Sequence, residues 1–549
     1  MSCLPEPTSV SHLFIRFPPG LGYTSVMSTV PTSRSGVDEV SPALLARNPL
    51  KWFSIFGPGA IIASLTIGTG ELIFSTRGGA LFGYRVLFLF VLISFLKWGL
   101  VLATSRHMVL TGVHPYKRML DLPGPRGWFL LMIFLLAAVC IPIWVSFHSS
   151  VLGNLTSWVT GTQGQLGGAI DYLWGGGILA AVLVLTATGG YSALERVQLA
   201  IVTALMFCAV ISLILYKPDW LALIAGAVIP RALEYPDWLS RYGEYRQIAE
   251  QPVWVETTRY VGVIGGAGFD YLAYTSFLRE KRWGRAGLTP ATRSELEEVG
   301  ENPSHPARLW VRAPIIDCSI SFLLVIGFSA VFVASGALIL GPNHKVPDEN
   351  NLLNLQAELV TNLHPWLLPL YVVGAFLTML GTLYGTLEVA NSFVNEAARV
   401  VRPTLLAKTF KRLKNLTLGW CAAGAYLVLG WTFVYQMAGK DRPRIVIAIL
   451  TPANLFTGVL FCGIICFLVL WMDRRFLPKS LHMGFPLMFL NLVSGVIFLA
   501  LGLKGYWDDQ SRWVAMGAML AMAAVSIVVA WLLGRSGRLP SPDAGSDPR

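Results

Sequence analysis

Long apolar runs recur along this chain from about residue 53 to residue 534, separated by short polar breaks. They fall at 57–83, 85–105, 127–151, 174–192, 196–216, 257–279, 311–340, 365–395, 416–437, 445–471, 483–503 and 511–534. Each is close to or above the ~20 residues that an α-helix needs to cross a bilayer, so the pattern predicts about twelve transmembrane helices. No long polar interval divides them, which predicts one polytopic domain over 49–535 rather than several soluble ones. Residues 1–48, rich in Ser, Thr and Pro, and residues 536–549 read as disordered tails. The first tail lacks the apolar core and small-residue cleavage site of a secretory signal. Met27 within it is a second candidate for the start of translation.

Two of the runs interrupt their own pattern. In 57–83, Gly68, Thr69 and Gly70 are followed by Glu71, where a membrane helix should be most uniform. Glycine loosens the backbone and removes side-chain packing, and an acid at that depth costs roughly 2.5–3.5 kcal/mol on insertion scales. In 257–279, Gly262, Gly265, Gly266 and Gly268 precede Asp270. Both runs are therefore predicted to be discontinuous helices whose unwound centres and carboxylates form a binding site. They are the first and sixth in order. Five helices against five, with an odd number of spans between equivalents, predicts two halves inverted in the membrane, the breaks meeting near its midplane, and two further helices beyond them.

Composition agrees. With 54% hydrophobic and 13% charged residues and a mean hydropathy of +0.59, the chain carries about half the charge of a soluble protein and reads as an all-α integral membrane protein. Its formal charge of +11 does not point to nucleic acid, because the basic residues lie in loops between apolar runs rather than along one helix face. With the N-terminus placed inside, 28 of the 42 lysines and arginines fall on that side and 13 on the other, Lys97 lying within a run. Both termini are thus predicted cytoplasmic, in a multi-pass protein of the cell membrane. The 217–256 connection, with Trp220, Trp238, Tyr242, Tyr245 and Trp254 among charges, predicts a helix lying in the interface. Six of the seven cysteines fall inside apolar runs and Cys3 in the first tail, so no disulfide framework is expected. Cys462 and Cys466 share a helix face but read as small core residues.

Several motifs resemble those of the Nramp-type divalent metal transporters: GPG at 57–59, the broken stretch itself, GGALFGY at 78–84, LTG at 110–112 and LERVQ at 194–198, in the same order. The resemblance spans about residues 50–500, and Gly68-Thr69-Gly70-Glu71-Leu72-Ile73 is similar to the first-helix motif of a divergent bacterial branch. It implies the leucine-transporter-type 5+5 inverted-repeat fold and transport of a metal by alternating access. Most members have Asp-Pro-Gly-Asn at the first break and Ala-x-x-Met-Pro-His at the sixth. Here Gly68 stands at the place of the metal-binding Asp and Glu71 at that of the Asn, Ala267 keeps the Ala, and Asp270, Tyr271 and Leu272 replace Met, Pro and His. Ser150 and Phe147 stand where the family carries acids in its third helix, so the family's usual proton route is not carried over.

Exchanging a thioether for a second carboxylate moves the site toward oxygen ligands, which suit Mn or Mg better than late transition metals. The predicted metal ligands are Glu71 and Asp270, with carbonyls of Gly68, Thr69 and Ala267 completing the shell and Gly70 within the binding stretch. The competing reading is that each acid caps the half-helix that follows its break. Glu388 and His148 are candidates for a proton or coupling-ion relay, against an ion pair of Glu388 with Lys97 or an Arg and a core role for His148. Asp317 and Glu195 read as structural partners of neighbouring arginines. The metal would be cargo, with no cofactor, and a proton or Na+ the coupling ion. A carrier of a small organic solute on the same fold is the alternative. A polytopic membrane enzyme is a lesser one, since HExxH, GxSxG and a cluster of His with acids on one segment are all absent, and the absence of GxxxxGK[ST] leaves ATP-driven transport from this polypeptide unsupported.

Overall fold

The computed structural model describes residues 36–347, 367–402, 407–439, 455–508 and 512–535. Among them every regular element is a helix. Helix α1 is Pro58–Thr66 and α2 is Thr76–Phe82, joined by wider π-type turns over Ile67–Ser75. Then come α3 (Leu87–Thr111), α4 (Trp128–Val159), α5 (Ile170–Thr188), α6 (Tyr191–Tyr216) and the short α7 (Trp220–Val228). The sixth run forms α8 (Val253–Val263) and α9 (Gly268–Lys281). Six more follow: α10 (Arg312–Ser335), α11 (Leu367–Val401), α12 (Ala407–Met437), α13 (Phe461–Phe476), α14 (Phe485–Asp508) and α15 (Arg512–Arg535).

Ten helices among the described residues are long and apolar enough to cross a membrane. The 57–83 run contributes only its second half, to the span Glu71–Thr111, and 257–279 contributes none, its helical pieces having 11 and 14 residues, each below the ~20 that a span requires. The first run lies at the centre of the protein. Helix α1 packs against α6, α9, α10 and α11, while α2 packs against α10. All nine residues of α1 and all seven of α2 are buried. The helices at the end of the chain are the most exposed, α15 showing apolar side chains such as Trp513, Val514 and Leu520 on its outer face, as expected where the surrounding solvent is lipid.

Two polar clusters fasten the ends of the broken runs. At the start of α1, Asp317 of α10 accepts hydrogen bonds from the N–H groups of Gly57 (2.9 Å) and Gly59 (2.7 Å) and from the hydroxyl of Tyr274 in α9 (2.8 Å). A helix N-terminus exposes unpaired N–H groups and a partial positive charge, so the carboxylate serves as a cap supplied by another helix. Asp317 was expected to pair with an arginine; its partner is instead the backbone that GPG exposes. Beside it Lys281 pairs with Glu195 at 2.5 Å, a lysine where an arginine was expected. At the opposite end, Arg77 of α2 meets Glu256 of α8 through Nε (2.5 Å) and Nη2 (3.2 Å), and its Nη1 donates to the carbonyl of Pro347 (3.0 Å). Tyr260 also donates to Glu256 (2.9 Å).

The boundary expected at residue 49 moves. Residues 36–48, assigned to the tail on composition, are packed: Leu44 is fully buried, and the Trp310 indole donates to the carbonyl of Asp38 at 2.9 Å. Val37, Val40 and Ala43 also pack, partly buried, against the core. The rest of the first tail, the second tail, Cys3, Met27 and the first part of the 445–471 run lie outside the described residues. In the 217–256 connection only α7 is a sustained helix; Trp238 and Tyr242 instead pack on His344, whose Nδ1 lies 3.0 Å from the Tyr242 hydroxyl. Cys462 and Cys466 are buried free thiols.

Two stability outcomes follow from the clusters. Asp317→Ala strands three buried donors, each costing about 1–3 kcal/mol, and is expected to lower the thermal unfolding temperature in detergent clearly more than Asp317→Asn, which keeps one acceptor oxygen. Arg77→Ala leaves Glu256 buried without its main partner and should cost about 3–5 kcal/mol, whereas Arg77→Met combined with Glu256→Leu should recover most of the loss; the same unfolding assay compares them.

Candidate functional site

Between α1 and α2 the backbone departs from helix at one residue, Gly68 (φ −53°, ψ −142°). The reason for glycine there is a neighbour: a Cβ at Gly68 would lie 1.5 Å from Oγ1 of Thr382. That hydroxyl is shared between the carbonyls of Thr378 in its own helix (3.1 Å) and Leu65 (3.2 Å), so a threonine of α11 reaches a carbonyl beside the break. In the sixth run α8 stops at Val263, and Gly265 (φ +80°) and Gly266 (φ +93°) turn through the left-handed region that L side chains rarely adopt. Helix α9 then starts at Gly268.

A cavity of about 130 Å³ lies between these breaks and helices α4 and α11. Its polar lining comprises Thr66, His148, Asp270, Thr382, Thr386 and Thr457, with backbone at Gly262, Gly266 and Ala267. Phe74, Trp144 and Phe147 close its sides. Thr378, Thr382 and Thr386 recur every four residues, which places their hydroxyls along one face of α11. Thr66 Oγ1 is buried and has no hydrogen-bond partner among the described residues, leaving it available to whatever enters.

The predicted site residues divide. Asp270 lines the cavity, and its Oδ2 also accepts the Ala267 N–H at 2.7 Å. It therefore caps α9 and presents a carboxylate to the cavity, and the capping and binding readings are compatible. Ala267 lines the cavity too, but its carbonyl accepts from the N–H groups of Asp270 (3.0 Å) and Tyr271 (3.4 Å) in the first turn of α9. Glu71 is fully buried and stands outside the cavity wall. It accepts from Ser75 (2.7 Å), from Ser329 of α10 (2.5 Å) and from the N–H of Gly265 (3.2 Å). One carboxylate thus joins the half-helix after the first break to the unwound residues of the second. Gly68 meets Thr382 as described; Thr69 and Gly70 belong to the π-type turns between α1 and α2.

His148 lies in the cavity wall. Glu388 does not: it accepts from Asn391 (3.1 Å) and pairs with Lys414 of α12 (3.2 Å), so neither Lys97 nor an arginine is its partner. Lys97, which the sequence offered as a charge within a run and a partner for Glu388, is fully buried in α3 and donates to three carbonyls of the second break. The lone cation in an apolar run is the signal that could have marked it. No group of three or more His, Cys, Asp or Glu side chains is gathered for a metal among the described residues.

A family model described as natural resistance-associated macrophage protein-like (Nramp) matches residues 59–378, more than half of the chain. No curated protein sequence matches it. Among solved structures, the manganese transporter of Eremococcus coleocola in complex with an aromatic bis-isothiourea substituted compound is similar over 92% of this chain and 99% of that one, with a TM-score of 0.65 and 14% identity. A histidine-to-alanine mutant of the same transporter is similar over 91% of this chain and 98% of its own, with a TM-score of 0.63 and 13% identity. At such identity the likeness establishes the fold, and the membership rests on the family model. This chain belongs to the Nramp family.

Proposed function

We propose that the chain is a secondary active transporter of a divalent metal cation of the Mn or Mg type, working by alternating access and coupled to a proton or Na+ gradient. Support comes first from membership of the Nramp family, a family of transporters rather than enzymes. The observation that carries the reading is Asp270: a carboxylate in the wall of a cavity that lies between two backbone breaks. A hard cation there would find oxygen donors from Asp270, Thr66 and the threonines of α11, which fits Mn or Mg better than metals that favour sulfur. Glu71 supports this by tying the breaks together, so that movement of α1 and α2 is transmitted to Gly265. Asp317 and Arg77 hold the two ends of the moving parts, and their release on opposite sides would open the cavity alternately. The protein is read as residing in the cell membrane with both termini cytoplasmic.

Uptake of labelled Mn2+ and Mg2+ into proteoliposomes tests the cargo, with absence of saturable flux of either counting against it. Losing a charged ligand worth about 1.5–3 kcal/mol predicts that Asp270→Asn raises KM roughly 10- to 100-fold. Glu71→Gln removes charge from the joint rather than from the cavity, so kcat is expected to fall with KM little changed. If Asp270→Asn leaves KM unaltered and a small organic solute raises the unfolding temperature instead, the organic-solute reading takes its place.

A further inference from the structure

A helix that stops inside a protein leaves its last carbonyls without partners and concentrates partial negative charge there. Helix α8 stops in this way at Val263, and partners of several carbonyls at its end and in the turn that follows can be named. Tyr260 O accepts the Ile264 N–H (2.8 Å) and Val263 O the Gly266 N–H (3.4 Å), while Gly265 O accepts the Tyr271 hydroxyl (2.5 Å). The carbonyls of Val261, Ile264 and Gly266 all turn to one atom, Nζ of Lys97, at 2.9, 2.7 and 2.6 Å. Carbonyl oxygens only accept hydrogen bonds, and a neutral amine has two N–H groups. Three such contacts require three hydrogens, so the group is the ammonium ion.

The cage around it is made of backbone oxygen alone, which is the donor set by which unwound carbonyls and half-helix C-termini hold a monovalent coupling ion. The same turn is bonded to both acids of the breaks: Glu71 accepts the Gly265 N–H at 3.2 Å and Asp270 the Ala267 N–H at 2.7 Å. The side chain also fills the space beside the turn, since a Cβ on Gly265 would lie 3.2 Å from Cδ of Lys97. We infer that Lys97 is a tethered cation that permanently fills a monovalent-ion site at the end of α8. It holds residues 264–266 against Glu71 and makes this break independent of Na+ or K+. Lys97 is therefore a positioning residue that touches no cargo. Of the two coupling ions, Na+ is not bound at this position.

Thermal unfolding of the purified full chain, at constant ionic strength and without divalent metal, tests this role separately from the cargo; an absence of metal flux would not bear on it. Exchanging Na+ or K+ for N-methylglucamine is expected to leave the wild-type unfolding temperature unchanged. Lys97→Ala lacks the three methylenes and the ammonium, which together amount to n-propylammonium. That variant should unfold at a lower temperature and regain the difference saturably with n-propylammonium, Na+ or K+, as a ligand of the folded state must produce. Lys97→Gln, which keeps a donor without the charge, should stay destabilised. A saturable rise of the wild-type unfolding temperature with Na+ or K+ overturns the inference. So does a Lys97→Ala protein indifferent to all three cations, or a Lys97→Gln protein as stable as the wild type. If Lys97→Ala does not fold, the wild-type and Lys97→Gln measurements still decide.

Discussion

A backbone carbonyl or N–H deep in a membrane protein has no water to bond, and leaving it unpaired costs several kcal/mol. This chain interrupts two helices at that depth, so its architecture depends on who supplies the missing partners. At the second break three carbonyls converge on Lys97 and one on Tyr271. At the first, Thr382 reaches the Leu65 carbonyl. Glu71 accepts the Gly265 N–H, and Asp270 and Asp317 accept N–H groups at the starts of α9 and α1. Each charged residue near the breaks thus has a backbone group as a partner.

That arrangement explains how a divergent member of the family can keep the fold while changing its polar residues. The cavity lies where two unwound segments meet, and its position is set by the breaks rather than by any one ligand. Lys97 and Glu71 lie behind the wall and bind the segments to α3 and α10; Asp270, Thr66, Thr382 and Thr386 line the cavity. Shape and chemistry are therefore carried by different side chains, and one set can change without dismantling the other. The clusters at the far ends, Arg77 with Glu256 and Asp317 with Gly57 and Gly59, hold the same segments where they reach the surface layers. Burying such charges is costly unless geometry is good and every lone pair is used. Here both carboxylates accept three or more bonds.

The sequence by itself determined the membrane class, the run-by-run helices and the two glycine-and-acid interruptions, because hydropathy over ~20 residues and a misplaced carboxylate are local properties. It also pointed to Glu71 and Asp270 as residues of the breaks. Only the tertiary structure decided what each does. Glu71 and Asp270 look alike in sequence, yet one is clamped between Ser75, Ser329 and Gly265 while the other faces the cavity, because side-chain direction at a break depends on the helices packed around it. The partners of Lys97, Asp317 and Glu388 are 164, 260 and 26 residues away in the chain, and no periodicity encodes such pairings. Residues 36–48 make the same point from the surface: their composition reads as tail, and packing on Trp310 makes them part of the fold.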